Sequence, residues 1–358
     1  MSEVIYVYPQ WHTVSFTLVA KQHIHYLRKV CRVVEVDETW LDAISCAAVL
    51  GSGKRYLLHP LFYMLFNRDT ARRAIRATAD KLVGFEVTDT DRISDRAVEI
   101  ANEADLLIVP SHWSREVMKR SGVKVPVEVV QHGVSELYER DVRFPTSSNL
   151  LLLRFLKRER NFIYVLFFLH HSGFRKGADL VFKVMERIQR KHSNVILIVK
   201  RANVIDPYLL QLRKLKMIEV GGWLSEEDLI DLYDTCDILL CLSRGGGFEL
   251  NALEALARGL ITVVPDAGCF KEYIKYCVPV RVTAWVRIFR DNPIHVGLGF
   301  QADVSDCVAK LEQIIDNINE YRARFMEQRR QVLREFSWRA VCKKLINVLR
   351  QYRVVEVM

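Results

Sequence analysis

No stretch of this 358-residue chain holds about 18 consecutive apolar residues, so none reads as a transmembrane helix. The opening residues, MSEVIYVYPQ, lack the basic and apolar regions of a signal peptide, and a cytoplasmic protein is expected. Eight cysteines stand at 31, 46, 236, 241, 269, 277, 307 and 342 without a CxxC pair or a zinc-like His/Cys spacing. They read chiefly as small buried hydrophobes, with an isolated disulfide or a reactive thiol as the lesser alternative. The ten histidines form no H-x-x-x-H pair. Internal repeats and low-complexity segments are also missing. The run LGSGKR (50–55) lacks the features of a phosphate-binding Walker loop, because Ala48 stands where its first glycine belongs and Arg55 replaces Ser/Thr.

What is present is an ordinary globular balance, 50% hydrophobic and 27% charged, in a chain long enough for two cores. Short apolar runs alternate with helical patterns. VIYVYP (4–9), CRVVEVD (31–37), KRYLLH (54–59), KLVGFEV (81–87), ADLLIVPS (104–111) and VEVVQHG (127–133) read as strands. Helices lie between them over FTLVAKQHIHYLRK, capped by Thr13 or Ser15, and over 68–81 and 114–122. Around 138–161 the rhythm breaks at a Pro-Thr-Ser-Ser turn and a charged run, which places a domain boundary there. FIYVLFFLHH (162–171) restarts it as a strand, followed by a helix over 177–192, a strand at 194–200, a helix over 225–237 capped by Ser225, and strands at 238–243 and 260–266. Strand–helix alternation of this kind specifies a parallel sheet covered on both faces. A long helical region, 303–352, ends the chain and is interrupted near Phe336–Ser337.

The most informative stretch is SRGGGFELNALEALARG (243–259). A strand runs into Gly245, Gly246 and Gly247, and a helix begins near Phe248 and stops at Gly259. Glycines bring a ligand close to backbone N–H groups, and a helix start adds unpaired donors and a positive dipole end, so the turn suits phosphate. A tight strand-to-helix turn is the plainer alternative. Glu249 stands where a helix start favours an acid. Glu254 lies near the helix middle, where burial demands a hydroxyl or basic partner.

The order Gly-rich turn, Phe, Glu-Ala-Leu-Ala-x-Gly resembles the signature of retaining glycosyltransferases of the large GT-B family four. HHSGFRKGADLVFKVMERI (170–188) resembles the family's Arg-Lys-Gly segment, with its earlier arginine falling on His170 or His171. VGGWLSEEDLIDLYDTCDILLCLS (220–243), DLLIVPSHWSREVMKRSGV (105–123), VEVVQHGV (127–134) and FSWRAVCKKL (336–345) resemble further family segments in the family's order. The resemblance implies an α/β chain of GT-B fold: two Rossmann-like α/β/α domains facing a cleft, over 1–147 and 148–335, with a C-terminal helix (336–358) crossing back to the first. It also implies transfer of a sugar from a nucleotide-sugar donor to an acceptor with retention of configuration, by a hexosyltransferase-type enzyme needing no cofactor and no obligatory metal. Donor binding then falls to Arg175, Lys176, Gly245, Gly246, Gly247, Phe248 and Glu254, the last on the ribose. The family's first acid, which contacts the transferred sugar, aligns with Gly246, so Glu249 is the substitute and the candidate catalytic residue. Glu86, Asp89 and His112 are candidates on the acceptor side. A non-catalytic nucleotide-sugar-binding protein and a sugar-nucleotide epimerase of the same fold are the alternatives.

Asp89 and Asp91 form an Asp-x-Asp pair without an adjacent third ligand, and no metal site is expected. The net charge is +9, and residues 320–353 hold ten Lys/Arg against three Glu. That balance suits an anionic surface or a solvated helix face. A weak peripheral contact with an anionic membrane, useful for a lipid-linked acceptor, is expected from Arg72, Arg73, Arg76 and Lys81 beside PLFYMLF (60–66), together with basic residues of the tail. Nucleic acid is not expected as a partner.

Overall fold

The computed structural model describes residues 2–12, 15–44, 53–140, 147–170, 172–202 and 206–356. Thr13, Cys46, Ala48, residues 50–52 of the LGSGKR run, the Pro145–Thr146 part of the turn signal and His171 lie outside them. Among the described residues no helix is long and apolar enough to cross a membrane. The chain forms two compact units. The first is Met1–His132 with Arg290–Gly297 and Trp338–Met358; the second is Gly133–Phe289 with Leu298–Ser337.

The first unit is a six-stranded parallel sheet. Its strands are β1 (Glu3–Tyr8), β2 (Arg32–Asp37), β3 (Lys54–Leu58), β4 (Ala79–Phe85), β5 (Leu106–Val109) and β6 (Val127–Val129), in the order β2-β1-β3-β4-β5-β6. The helical pattern read over 68–81 stops at Thr78, and the next strand takes over from Ala79. Helix Trp338–Gln351 packs on helix Ser15–Leu27 within this unit. The return segment 290–297 is pinned to the loop after β4: Ser94 N donates to the Ile294 carbonyl at 2.9 Å, and Ile93 pairs with His295 in an antiparallel bridge.

A polar cluster sits inside this core. The buried Tyr6 hydroxyl lies 3.0 Å from Nδ1 of both His23 and His59, whose rings stack 5.7 Å apart beside Phe85. A hydroxyl has one proton, so it donates to one imidazole and accepts from the other, which must carry its proton on Nδ1.

The second unit holds β7 (Ile163–Leu169), β8 (Val195–Arg201), β9 (Met217–Val220), β10 (Ile238–Leu240), β11 (Ile261–Pro265) and β12 (Val278–Val280). All are parallel, in the order β12-β11-β10-β7-β8-β9. Every residue of β7 is buried, as expected of a strand covered on both faces. Helix Ala178–Lys191 buries Leu180, Val181, Val184, Met185 and Ile188, the stripe its periodicity specifies. A short antiparallel pair, β13 (Val282–Val286) and β14 (Gly299–Ala302), adjoins the sheet through Arg244, whose carbonyl accepts from Phe300 N at 2.8 Å.

The segment that breaks the rhythm in the sequence is a helix, Ser148–Arg160. Leu150 and Leu153 face the core, and the αL conformation of Asn161 ends it. The charged residues hid this periodicity: Arg154 and Lys157 lie on the flank of the helix and are ion-paired with Asp231 and Asp237.

Burial drives His23 and His132 down to about 3, and His59 in the same direction. Unfolding lets each imidazole bind a proton near its ordinary pKa, so stability falls as pH drops below about 6.5, by up to about 1.4 kcal/mol per histidine per pH unit. Glu86 opposes this, since burial raises its carboxyl to about 8 and its contribution is lost as pH rises towards that value. Three histidines outweigh one carboxyl, so the first unit should melt at lower temperature near pH 5 than near pH 7.5. A flat or inverted profile in scanning calorimetry would show that these imidazoles are not buried neutral.

Candidate active site

The strand order of the second unit reverses between β7 and β10, which are neighbours in space but separated by two strands in sequence. In open parallel sheets ligands bind beyond the carboxyl ends of the strands at such a switch point. Two loops meet there, residues 172–177 after β7 and 241–249 after β10.

The first loop is fixed by glycines. Gly173 donates its N–H to Asp206 Oδ2 at 2.8 Å, and a Cβ there would lie 2.4 Å from Oδ1 of the same residue. Gly177, at φ +76°, starts helix Ala178–Lys191, and a Cβ there would lie 2.2 Å from the Leu242 carbonyl oxygen. Only glycine fits both the conformation and the space.

The second loop is tied to the first by Arg244, which is 1% exposed. Its backbone N–H donates to the Arg175 carbonyl at 2.7 Å. Its guanidinium donates to the Phe174 carbonyl at 2.5 Å and to both Asp179 carboxylate oxygens at 2.7 and 2.8 Å, and it lies 3.9 Å from the centre of the Phe174 ring. A planar fork satisfies these partners at once, which an ammonium could not. Arg175 is buried as well and donates to the Gly245 carbonyl at 3.1 Å.

With the loops fixed, Lys176 Nζ meets both oxygens of Glu249, at 2.9 and 2.7 Å. The Glu249 side chain is buried, and it makes no cap hydrogen bond although the residue occupies the N-cap of helix Leu250–Ala257. Its carbonyl accepts from the Tyr273 hydroxyl at 3.0 Å, and Tyr273 packs edge-on against Phe248. Gly245, Gly246 and Gly247 are not among the residues of positive φ. A Cβ at 246 would lie 2.9 Å from Glu249 Oε1, close enough that the carboxylate would have to shift. The Glu249 carboxylate therefore sits over position 246.

Glu254 is the fifth residue of the same helix. It accepts from the Tyr233 hydroxyl at 2.8 Å, and burial pushes its carboxyl up to about 7, against the lowering effect of that bond. Near neutrality this group passes between acceptor-only carboxylate and neutral acid.

Of the residues singled out in sequence, the structure thus gathers Arg175, Lys176, Gly245, Gly246, Phe248 and Glu249 at one place, with Glu254 on the adjoining helix. Glu86, Asp89 and His112 belong to the first unit. Glu86 follows β4, is buried, and accepts from Phe62 N at 2.6 Å and Val87 N at 2.9 Å. Asp89 donates its backbone N–H to His295 Nδ1 at 3.4 Å, and His112 opens helix His112–Ser121. Among the described residues no group of three or more His, Cys, Asp or Glu is arranged to hold a metal ion. Arg244, Asp179, Tyr233 and Tyr273 escaped the sequence reading. The one available signal was an arginine inside an otherwise apolar and glycine-rich strand end.

Replacing Arg244 by leucine would leave Asp179 and the Phe174 carbonyl without their donor. Breaking a buried pair in this way costs about 3–5 kcal/mol. The urea midpoint of the second unit should fall accordingly, and an unchanged midpoint in Arg244→Leu would show that the guanidinium is not the tie between the loops.

Residues 156–285 match the family model described as Glycosyl transferases group 1. Uncharacterized protein 356 of Sulfolobus islandicus rod-shaped virus 1 is 31% identical over 98% of this chain and 98% of its own. Putative glycosyltransferase 45 of Sulfolobus islandicus filamentous virus is 29% identical over 81% of this chain and 79% of its own. The solved structure of the Anabaena protein HepE in complex with UDP-glucose superposes with a TM-score of 0.69 over 98% of this chain and 99% of that one, at 13% identity, which shows a shared fold. Two Rossmann-like units with parallel sheets make that fold GT-B. The matched segment spans the strand-end loops that meet at the switch point, so it is there that this chain is similar to the group 1 glycosyl transferases.

Proposed function

We propose that this chain is a cytoplasmic, retaining hexosyltransferase of family four, which moves a sugar from a nucleotide-sugar donor to a hydroxyl of a glycan, lipid or protein acceptor without an obligatory metal. The observation that carries this reading is the Glu249 carboxylate held over Gly246 by Lys176. In the resemblance on which the reading rests, position 246 supplies the acid that faces the transferred sugar, and here a carboxylate occupies that space from three residues further on. The UDP-glucose complex of HepE supports a nucleotide sugar as the donor.

In the reaction the bond between the anomeric carbon and the diphosphate oxygen breaks, and its electron pair leaves with the nucleoside diphosphate. A bond forms between that carbon and the acceptor oxygen, and the acceptor proton is released with the diphosphate. Lys176 and the backbone N–H groups of 245–248 stabilise the charge on the departing diphosphate, the kind of preorganised electrostatics that usually dominates catalysis. Arg175 adds a second positive charge behind them. Glu254 holds the ribose, and Glu249 bonds a hydroxyl of the transferred sugar. Glu86, Asp89 and His112 serve the acceptor from the first unit.

Glu249→Gln keeps the size of the side chain and one hydrogen bond to Lys176. It leaves Lys176 without its counter-charge, so it should melt below the parent while staying folded, and it should turn over at least about tenfold more slowly, or about 1.4 kcal/mol of barrier, because the lost charge matters most in the transition state. Parent-like turnover with a panel of nucleotide sugars would remove Glu249 from the reaction.

Transfer is also expected to persist in EDTA, since protein donors take the role a cation would have on the diphosphate. Complete loss with chelator, restored by manganese or magnesium, would contradict the metal-free reading.

A further inference from the structure

Helix Ser148–Arg160 carries a feature that sugar transfer does not use. Its inner side is firmly held: Leu150 and Leu153 are buried, the Arg154 guanidinium bonds Thr235 and Asp231, and Lys157 Nζ bonds the Thr235 carbonyl and Asp237 at 2.8 Å each. Its outer side presents Leu151, Leu152 and Phe155, each at least 50% exposed. Phe155 lies three residues after Leu152 and four after Leu151, so the three share one face of the helix, which Glu159 continues four residues on. Single exposed apolar residues are ordinary, whereas three on one rigid face need a partner.

The surroundings of the stripe are basic. Arg158 and Arg160 are exposed at the end of the helix, with the Arg158 guanidinium 5.9 Å from the centre of the Phe155 ring. Beside the helix opens a cavity of about 540 Å³ whose walls include Arg154, Lys157, Arg158 and Arg322, with Asp234 as the acid among them. The nearby acids are already engaged. Asp231 is held by Arg154, Asp234 by Arg258 and Glu159 by Arg158, while Asp237 is shared between Lys157 and Arg322. Among the described residues this leaves uncompensated the charge of Arg160 and that of one of the two bases on Asp237.

The patch expected from sequence does not offer such a face. In PLFYMLF the side chains of Leu61, Phe62, Met64 and Leu65 are buried and Tyr63 alone of the apolar set is largely exposed, while Arg72 pairs with Asp69 and Glu103 and Arg76 with Asp105.

An outward apolar stripe rimmed by arginines, on a helix whose opposite side is anchored, has the chemistry of a helix lying in a lipid interface. We propose that helix Ser148–Arg160 docks this protein on a membrane surface containing anionic phospholipid. Leu151, Leu152 and Phe155 enter the boundary between headgroups and acyl chains, and lipid phosphates meet Arg158, Arg160 and the basic cavity beside them. The inference is independent of the donor site: the helix leads into the amino end of β7, and the donor loops lie at its carboxyl end.

The test is sedimentation of the full chain with vesicles of phosphatidylcholine alone and of phosphatidylcholine mixed with phosphatidylglycerol, at low and high salt. Binding is expected to the mixed vesicles at low salt, to weaken at high salt, and to be slight with phosphatidylcholine alone. In a Phe155→Trp variant, the added tryptophan emission should shift to the blue on mixing with anionic vesicles. The outward double substitution Leu152→Glu with Phe155→Glu should leave the melting temperature and nucleoside diphosphate binding unchanged and reduce vesicle binding about tenfold or more. The proposal is overturned if anionic vesicles do not sediment the parent, if the double variant binds them equally well, or if the Phe155→Trp emission does not shift. A lipid-free dimer that the double variant abolishes would assign the stripe to a second copy of the chain and likewise overturn it.

Discussion

Two buried guanidiniums hold the candidate site together, that of Arg244 above all. The two loops that meet at the switch point come from strands separated in sequence by β8 and β9, so nothing local keeps them in register. Arg244 does so from within one side chain and its own backbone, by bonding the Phe174 and Arg175 segment, Asp179 and the second short sheet. Burying a charge is costly unless its partners are complete, and here the cost is offset by the bidentate carboxylate, a carbonyl and an aromatic face. A site organised in this way is rigid before any ligand arrives, which is the condition for electrostatic stabilisation of a departing anion.

The second constraint is one of space. Gly177 admits the Leu242 carbonyl, where a methyl group would collide with backbone, and Gly246 lies under the Glu249 carboxylate, which a methyl group there would push aside. The glycine run after β10 therefore makes room for an acid supplied from the helix start. In the proposed reaction that acid serves the sugar. The pairing of Glu249 with Lys176 also explains how a carboxylate can be buried there, because each charge neutralises the other; in the proposed reaction this holds until a donor arrives.

Much of the architecture was legible as pattern. The continuous apolar runs of β7 and β8 could only be strands buried on both faces, and the stripe from Leu180 to Ile188 could only be a core-facing helix. The interruption at Phe336–Ser337 was visible as a change of periodicity and marks where helix Ile318–Phe336 gives way to helix Trp338–Gln351. The contact between Lys176 and Glu249 was not legible, because it follows from β7 and β10 being adjacent, and strand order is not written in the periodicity of either strand. Arg244 was passed over for a related reason: an arginine at a strand end is ordinarily solvated, and its burial depends on Asp179 and Phe174 from the other loop. The two histidines around Tyr6, His23 and His59, came from separate segments and carried no spacing. Helix Ser148–Arg160 was obscured by charges that proved to be its anchors.

The central claim is that a carboxylate over position 246 does the work, whichever residue supplies it. The direct measurement is sugar transfer by Glu249→Ala and by the double variant Gly246→Glu with Glu249→Ala, with nucleoside diphosphate binding measured in parallel to confirm an intact site. Removing Glu249 clears the space that a side chain at 246 would need. The account predicts that Glu249→Ala loses most turnover and that the double variant recovers a substantial part of it. A double variant that folds, binds nucleoside diphosphate and remains as inactive as Glu249→Ala would contradict it.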